Sequence, residues 1–155
     1  MAVKVVAIGK TVASYLKEGE SEYLKRLGKY GRFDFIIVND VKKKFGNQED
    51  LKIAEAEKLS AHWKPNDFVV GLDEKGKELN NLKLAEFVNE KSSAGGDLVF
   101  VVGGAYGLSN QLRKDCNYLL SLSQLTFSHQ MVRLILLEQL YRSYSILNNE
   151  PYHHM

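Results

Sequence analysis

A chain of 155 residues that is 45% hydrophobic and 26% charged can fill one core, and its composition excludes a disordered or fibrous protein. The formal charge of +2 falls short of the strongly basic balance of a dedicated nucleic-acid binder, and a single cysteine, Cys116, excludes an intrachain disulfide. The start MAVKVVAIGK turns polar too soon for a signal peptide, and no run approaches the roughly 18 apolar residues of a membrane span, so one cytoplasmic domain covering residues 1–155 is expected.

Val3 to Ile8 is a short β-branched run closed by Gly9 and predicts a buried strand. Tyr15, Leu16, Tyr23, Leu24 and Leu27 then recur at helical spacing up to the breaker Gly28. Phe33 to Val38 predicts a second strand, KKKFGN a basic loop, and Leu51 to Leu59 a helix. Phe68 to Leu72 predicts the third strand, followed by a turn over DEKGK and a helix over Leu82 to Val88. Leu98 to Val102 predicts the fourth, with GGAYGLS directly after it. Ser109 is placed to cap a short helix through Asp115, Tyr118 to Leu122 makes a fifth strand, and a long helix runs from Met131 to Leu147.

Strands alternating with helices predict an α/β layer structure with a mostly parallel sheet, whose ligands bind beyond the C-terminal strand ends. That rule selects Leu72, the glycine loop at Gly103, and the segment from Leu122 to His129. The glycine loop lacks the Lys-Ser/Thr of a P-loop and is not GxGxxG, so it reads as a tight turn or as a close backbone approach to a ligand. The last helix is apolar almost all round, which predicts one face on the sheet and one on a second copy, a homodimer. Glu138 and Arg142 are spaced to pair, and His129 and Arg133 share the same spacing where backbone N–H groups favour an anion.

The excess of Lys and Arg is N-terminal, 13 against 9 acidic residues over positions 1–64, and Lys42, Lys43 and Lys44 could contact phosphates. His153 and His154 near the end have no third ligand beside them, so no metal site is expected.

Taken in order, AIGK, SEYLKRLGKY, VVGLDEKGK, FVVGGAYGLS, LSLSQLTFSHQMVRLILLEQLYRSYSI and PYHH resemble the RlmH family, the ribosomal RNA large subunit methyltransferases H, over essentially the whole chain. These are SPOUT-class enzymes, and the resemblance implies a parallel sheet sandwiched by helices, a C-terminal trefoil knot and an obligate homodimer. It implies transfer of a methyl group from S-adenosylmethionine to N3 of a pseudouridine in 23S ribosomal RNA within the ribosome. Cofactor contacts carry over to Leu72, Gly103, Leu122, Ser123, Gln124, Leu125, Thr126 and Phe127. Catalytic or RNA-facing roles carry over to His129, Arg133, Arg142, Tyr152 and His153. The chain departs from the family pattern in FSHQ, where FPHQ is common, and in His154 and Met155, where a basic residue commonly follows the first histidine. Two other readings of the residues stay open: a non-enzymatic RNA-binding module, and a flavodoxin-like domain using GGAYGLS for phosphate.

Overall fold

The computed structural model describes residues 2–154; Met155, named above, lies outside them. Val3–Ile8 (β1) pairs in parallel with Phe33–Val38 (β2) on one side and with Leu98–Val102 (β4) on the other. Phe68–Glu78 (β3) joins β4, and Tyr118–Ser121 (β5) joins β3, so the sheet order is β2-β1-β4-β3-β5, all parallel. Helices Ser14–Leu27 (α1), Gln48–Ser60 (α2), Asn81–Ser92 (α3) and Asn110–Asp115 (α4) are the crossovers, and Met131–Leu147 (α5) follows the last strand.

Strand period decides which helix meets which face. Val5, Ala7, Val70, Leu98, Phe100 and Val102 point to the side covered by α1, α3 and α5, where they meet Leu27, Val88, Leu136, Leu137 and Leu140. Val6, Ile8, Val69, Val99 and Val101 point to the opposite side, against Leu59 of α2 and Leu112 of α4. Because β1 and β4 are central and buried on both faces, they read as continuous apolar runs rather than alternating ones.

The helix starts are fixed locally. Side chains of Asn47, Asn80 and Ser109 accept the backbone N–H of Asp50, Lys83 and Leu112, satisfying donors that a helix leaves open at its N-terminus. Gly19 of α1 lets α5 approach closely: a Cβ there would lie 2.8 Å from Leu134. Within one chain, α5 buries Leu136, Leu137, Leu140 and Tyr141 but leaves Val132, Leu134, Ile135 and Ile146 only partly covered.

DEKGK is not a turn, as the sequence suggested. β3 continues to Glu78, and Leu120 of β5 pairs with both Leu72 and Lys77, so residues 73–76 bulge out of an unbroken strand. Gly76 makes this possible, since a Cβ there would lie 2.6 Å from the Leu119 carbonyl oxygen. Charged residues flanking a strand end resemble a turn in composition, and only the pairing on β5 separates the two.

Phe100 is fully buried at the sheet centre. Phe100→Ala should cost about 3–5 kcal/mol of stability, read as a lower urea midpoint with an unchanged slope.

Candidate active site

The C-terminal ends of β3, β4 and β5 open into a cleft of about 400 Å³, a volume suited to a small molecule. Three segments build it. The glycine turn after β4 forms one wall, and the β3 bulge, through Asp73, Glu74 and Lys75, forms a second. The stretch from Leu122 to His129 forms the third.

The glycine turn depends on missing side chains. A Cβ on Gly103 would lie 2.7 Å from the carbonyl carbon of Gly107, and Gly107 itself has φ of +82°. The turn closes with Gly107 N–H donating to the Gly104 carbonyl at 3.0 Å. Opposite it, Ser121 Oγ donates to the Ser123 carbonyl at 2.8 Å and Ser123 Oγ accepts from Leu125 N–H at 3.0 Å. Thr126 Oγ1 donates to Glu74 Oε2 at 2.6 Å, tying this stretch to the bulge, and Asp73 of the bulge pairs with Arg113 of α4. Ser128 Oγ accepts Met131 N–H at 3.0 Å and so caps the start of α5.

Of the residues expected to hold a cofactor, Leu72, Gly103, Leu122, Ser123, Leu125, Thr126 and Phe127 line the cleft, and Gln124 stands exposed outside it. Sequence reasoning missed Val102, Leu120 and Val132, which add apolar wall, and Tyr106, 52% exposed beside the opening. The first two are ends of strands already assigned, so their place at the sheet's C-terminal edge was the available signal. Leu125, 72% exposed, is an apolar side chain that one chain leaves facing water.

The five residues expected in catalysis separate into three places. His129 lines the cleft, and burial followed by the charge of Arg133 pushes its imidazole below the ordinary histidine range, with Asp40 opposing. Arg133 does not face an RNA surface. It is wholly buried, donating through Nη2 to the Ile8 carbonyl at 2.5 Å and through Nη1 to the Gly9 carbonyl at 2.7 Å and Thr11 Oγ1 at 3.3 Å. Thr11 Oγ1 in turn lies 2.9 Å from both carboxylate oxygens of the buried Glu20. Guanidinium is the group that can satisfy several strand-end carbonyls at once, which accounts for an arginine here.

Arg142, Tyr152 and His153 form the third place. Arg142 pairs with Glu138 as its spacing indicated, and it bonds His153 Nδ1 at 3.1 Å. Its guanidinium lies 4.7 Å from the Tyr152 ring centroid. Tyr152 OH donates to Glu138 Oε1 at 2.9 Å and meets Tyr23 OH at 3.1 Å, and burial with these partners raises its pKa. None of these three residues lines the cleft. Val132, which does, is ten residues before Arg142 on the same helix, about 15 Å of rise.

Among the described residues no cluster of His, Cys, Asp and Glu could hold a metal, and no helix is long and apolar enough to cross a membrane. Lysines 42–44 lie on the exposed or half-exposed loop before α2.

Replacing Arg133 by Met should lower stability by about 3 kcal/mol, because strand-end carbonyls lose donors and Glu20 loses its countercharge. Adding Glu20→Gln should recover part of that loss in the same urea titration, which a simple packing defect would not do.

A family model described as "Predicted SPOUT methyltransferase" matches residues 1–153. Proteins named ribosomal RNA large subunit methyltransferase H are similar from end to end. That of Carboxydothermus hydrogenoformans is 43% identical with 99% of each chain covered, and that of Trichlorobacter lovleyi is 41% identical with 99% of this chain and 100% of the relative covered. Among solved structures, tRNA (m1G37) methyltransferase from Aquifex aeolicus superposes with a TM-score of 0.58 at 17% identity, over 100% of this chain and 76% of that one. A probable methylase family protein from Haemophilus influenzae gives 0.54 at 17% identity, over 99% of this chain and 70% of that one. These two likenesses speak to the fold alone. With a parallel sheet, a strand-end cleft and relatives matched along their whole length, the chain belongs to the SPOUT methyltransferase family, in the group of the ribosomal RNA large subunit methyltransferases H.

Proposed function

We propose that this protein is an S-adenosylmethionine-dependent methyltransferase that modifies N3 of a pseudouridine in large-subunit ribosomal RNA, acting as a homodimer on the assembled ribosome in the cytoplasm. The observation that carries the reading is the cleft itself: the three segments matching the family's cofactor contacts meet around one cavity of about 400 Å³. Its chemistry fits the cofactor. Leu72, Leu122, Leu125, Phe127, Val102 and Leu120 offer apolar surface for an adenine ring, and the glycine turn leaves backbone groups open to its polar edge. The knot implied for the family would pass through this region.

When bound, S-adenosylmethionine supplies an activated methyl group. The chain's task is then to hold the acceptor nitrogen in line, exclude water and move one proton. The Thr126–Glu74 bond and the Asp73–Arg113 pair keep two cleft walls in register through the chain's own side chains.

The dimer is supported by a distance and a surface. Arg142, against which Tyr152 and His153 pack, lies about 15 Å along α5 from the cleft-lining Val132, and α5 leaves Ile135 partly uncovered. Packing two α5 helices would cover that face and bring the tail of one protomer toward the cleft of its partner. The tail then recognises RNA through neutral and aromatic groups, with Arg142 holding Tyr152 and His153 in place. The modest charge of +2 suits docking on a preformed particle better than wrapping free RNA.

Incubation with labelled S-adenosylmethionine and ribosomes lacking the modification should label one large-subunit position at N3 of pseudouridine. No transfer to ribosomes or free RNA would refute the reading. Truncation after Pro151 should leave folding and calorimetric cofactor affinity intact while lowering transfer at least 100-fold; full transfer by the truncated chain would remove the tail from the site.

A further inference from the structure

The sheet edge that carries the cleft continues past it. The cleft occupies the ends of β3, β4 and β5, and on the same edge β1 and β2 run out into two loops, residues 9–13 and 39–47. These loops touch. Gly9 N–H donates to the Val38 carbonyl at 2.7 Å, and a Cβ on Gly9 would lie 2.6 Å from Asp40 Oδ1. Each loop is also tied to the cleft. Gln130, next to the cleft-lining His129, donates from Nε2 to the Lys10 carbonyl at 3.1 Å and accepts Val12 N–H at 2.9 Å. Residues 39–47 lead directly into α2, whose Gln48 and Lys52 line the cleft. With neighbouring strands about 4.8 Å apart, the chain leaves β1 about 5 Å and β2 about 10 Å along the edge from the end of β4.

Positive charge is concentrated on this edge. Lys10 and lysines 42–44 are exposed, and residues 39–47 hold three lysines against one aspartate, a local +2 equal to the formal surplus of the whole chain. Many other cations are neutralised where they stand: Lys4, Lys29, Lys52, Arg113 and Arg142 each pair with a carboxylate. Among the described residues, Lys10 and lysines 42–44 form no such pair. The carboxylates around the cleft mouth are engaged elsewhere, Glu49 with Lys52, Asp73 with Arg113 and Glu74 with Thr126, which leaves Asp40 as the exposed acid beside the lysines. The loop is held at both ends. Lys58 Nζ donates to the Asp40 carbonyl at 3.0 Å, and Asn47 Oδ1 accepts Asp50 N–H at 2.8 Å where α2 begins. A lysine run that only keeps a surface solvated needs neither these anchors nor a place beside a binding cleft.

We propose that Lys10 and lysines 42–44 form a phosphate-binding edge, which holds the RNA backbone on one side of the base that enters the cleft. This rests on the ribosomal RNA methyltransferase reading above. An ammonium on a flexible stem binds phosphate as a point charge and tolerates variation in backbone path. Phosphate contacts fix position and register but carry no sequence information, so choice of the target base stays with the cleft and the tail. Four unpaired lysines on one edge also reconcile a polyanionic substrate with a formal charge of only +2, because the charge stands where the backbone passes.

The test measures binding to unmodified ribosomes and methylation of them across a KCl series. The triple variant Lys42→Ala, Lys43→Ala, Lys44→Ala should lower the slope of log affinity against log salt by about 2 to 3, and Lys10→Ala by about 1. The triple variant should raise KM for ribosomes about tenfold, with a much smaller change in kcat. Arginine at the same three positions should restore slope and KM, and calorimetric affinity for S-adenosylmethionine should stay within about twofold, which also shows that the variants fold. The control removes equal charge from exposed sites on α1 and α3, by Lys17→Ala, Lys25→Ala and Lys83→Ala, and should stay within about twofold of wild type. A wild-type slope and KM for the 42–44 variant, or equal losses in the two triple variants, would overturn the proposal. Sedimentation of the 42–44 variant as a monomer beside a dimeric wild type would overturn it too, making the loop a subunit contact. Absence of transfer by the wild-type protein is a different result and would overturn the methyltransferase reading itself.

Discussion

The buried guanidinium of Arg133 holds three parts of the molecule in one arrangement. Strands of a parallel sheet end with carbonyl groups that no neighbour satisfies, and β1 ends in the interior, under α5 and α1. Arg133 answers the Ile8 and Gly9 carbonyls directly and reaches Glu20 of α1 through Thr11. The charge is costly to bury and is offset because both terminal nitrogens of the guanidinium find acceptors and Glu20 supplies an opposite charge, while Nε is left without a partner. The start of α5 is thereby fixed relative to β1, and with it the loop that runs from β5 to His129. The cleft wall built by that loop owes its position to an interaction one turn beyond His129.

Much of this was legible in the sequence. Short apolar runs located all five strands, and Ser109 and the long helix were found where expected, because short buried strands and capped helices are decided by neighbouring residues. The three strand-end segments chosen for ligand binding also meet at one cavity. What local pattern cannot carry is which strands become neighbours: β4 inserts between β1 and β3, and that choice places Gly9 beside Gly104. The role of Arg133 was misread for a related reason. Its spacing from His129 put both at one end of a helix, but the carbonyls it serves are more than 120 residues away in the chain.

Glycine has three separate duties around the cleft. Gly103 keeps the turn narrow, Gly76 lets the bulged strand touch β5, and Gly104 leaves the volume that the Glu55 carboxyl fills. Each duty is steric and none is visible from composition, where all three simply mark a break.

The bulge in β3 has a consequence for how the cleft can vary. Because Leu72 and Lys77 both pair with Leu120, the ladder closes on either side of residues 73–76, and of these four only Gly76 is held to its identity by contact with β5. Those residues supply one wall of the cavity while contributing little to the pairing of β3 with β5. Changes at residues 73–75 would therefore leave the β3–β5 pairing in place and act instead on the cleft, through the Asp73–Arg113 pair and the Thr126–Glu74 bond.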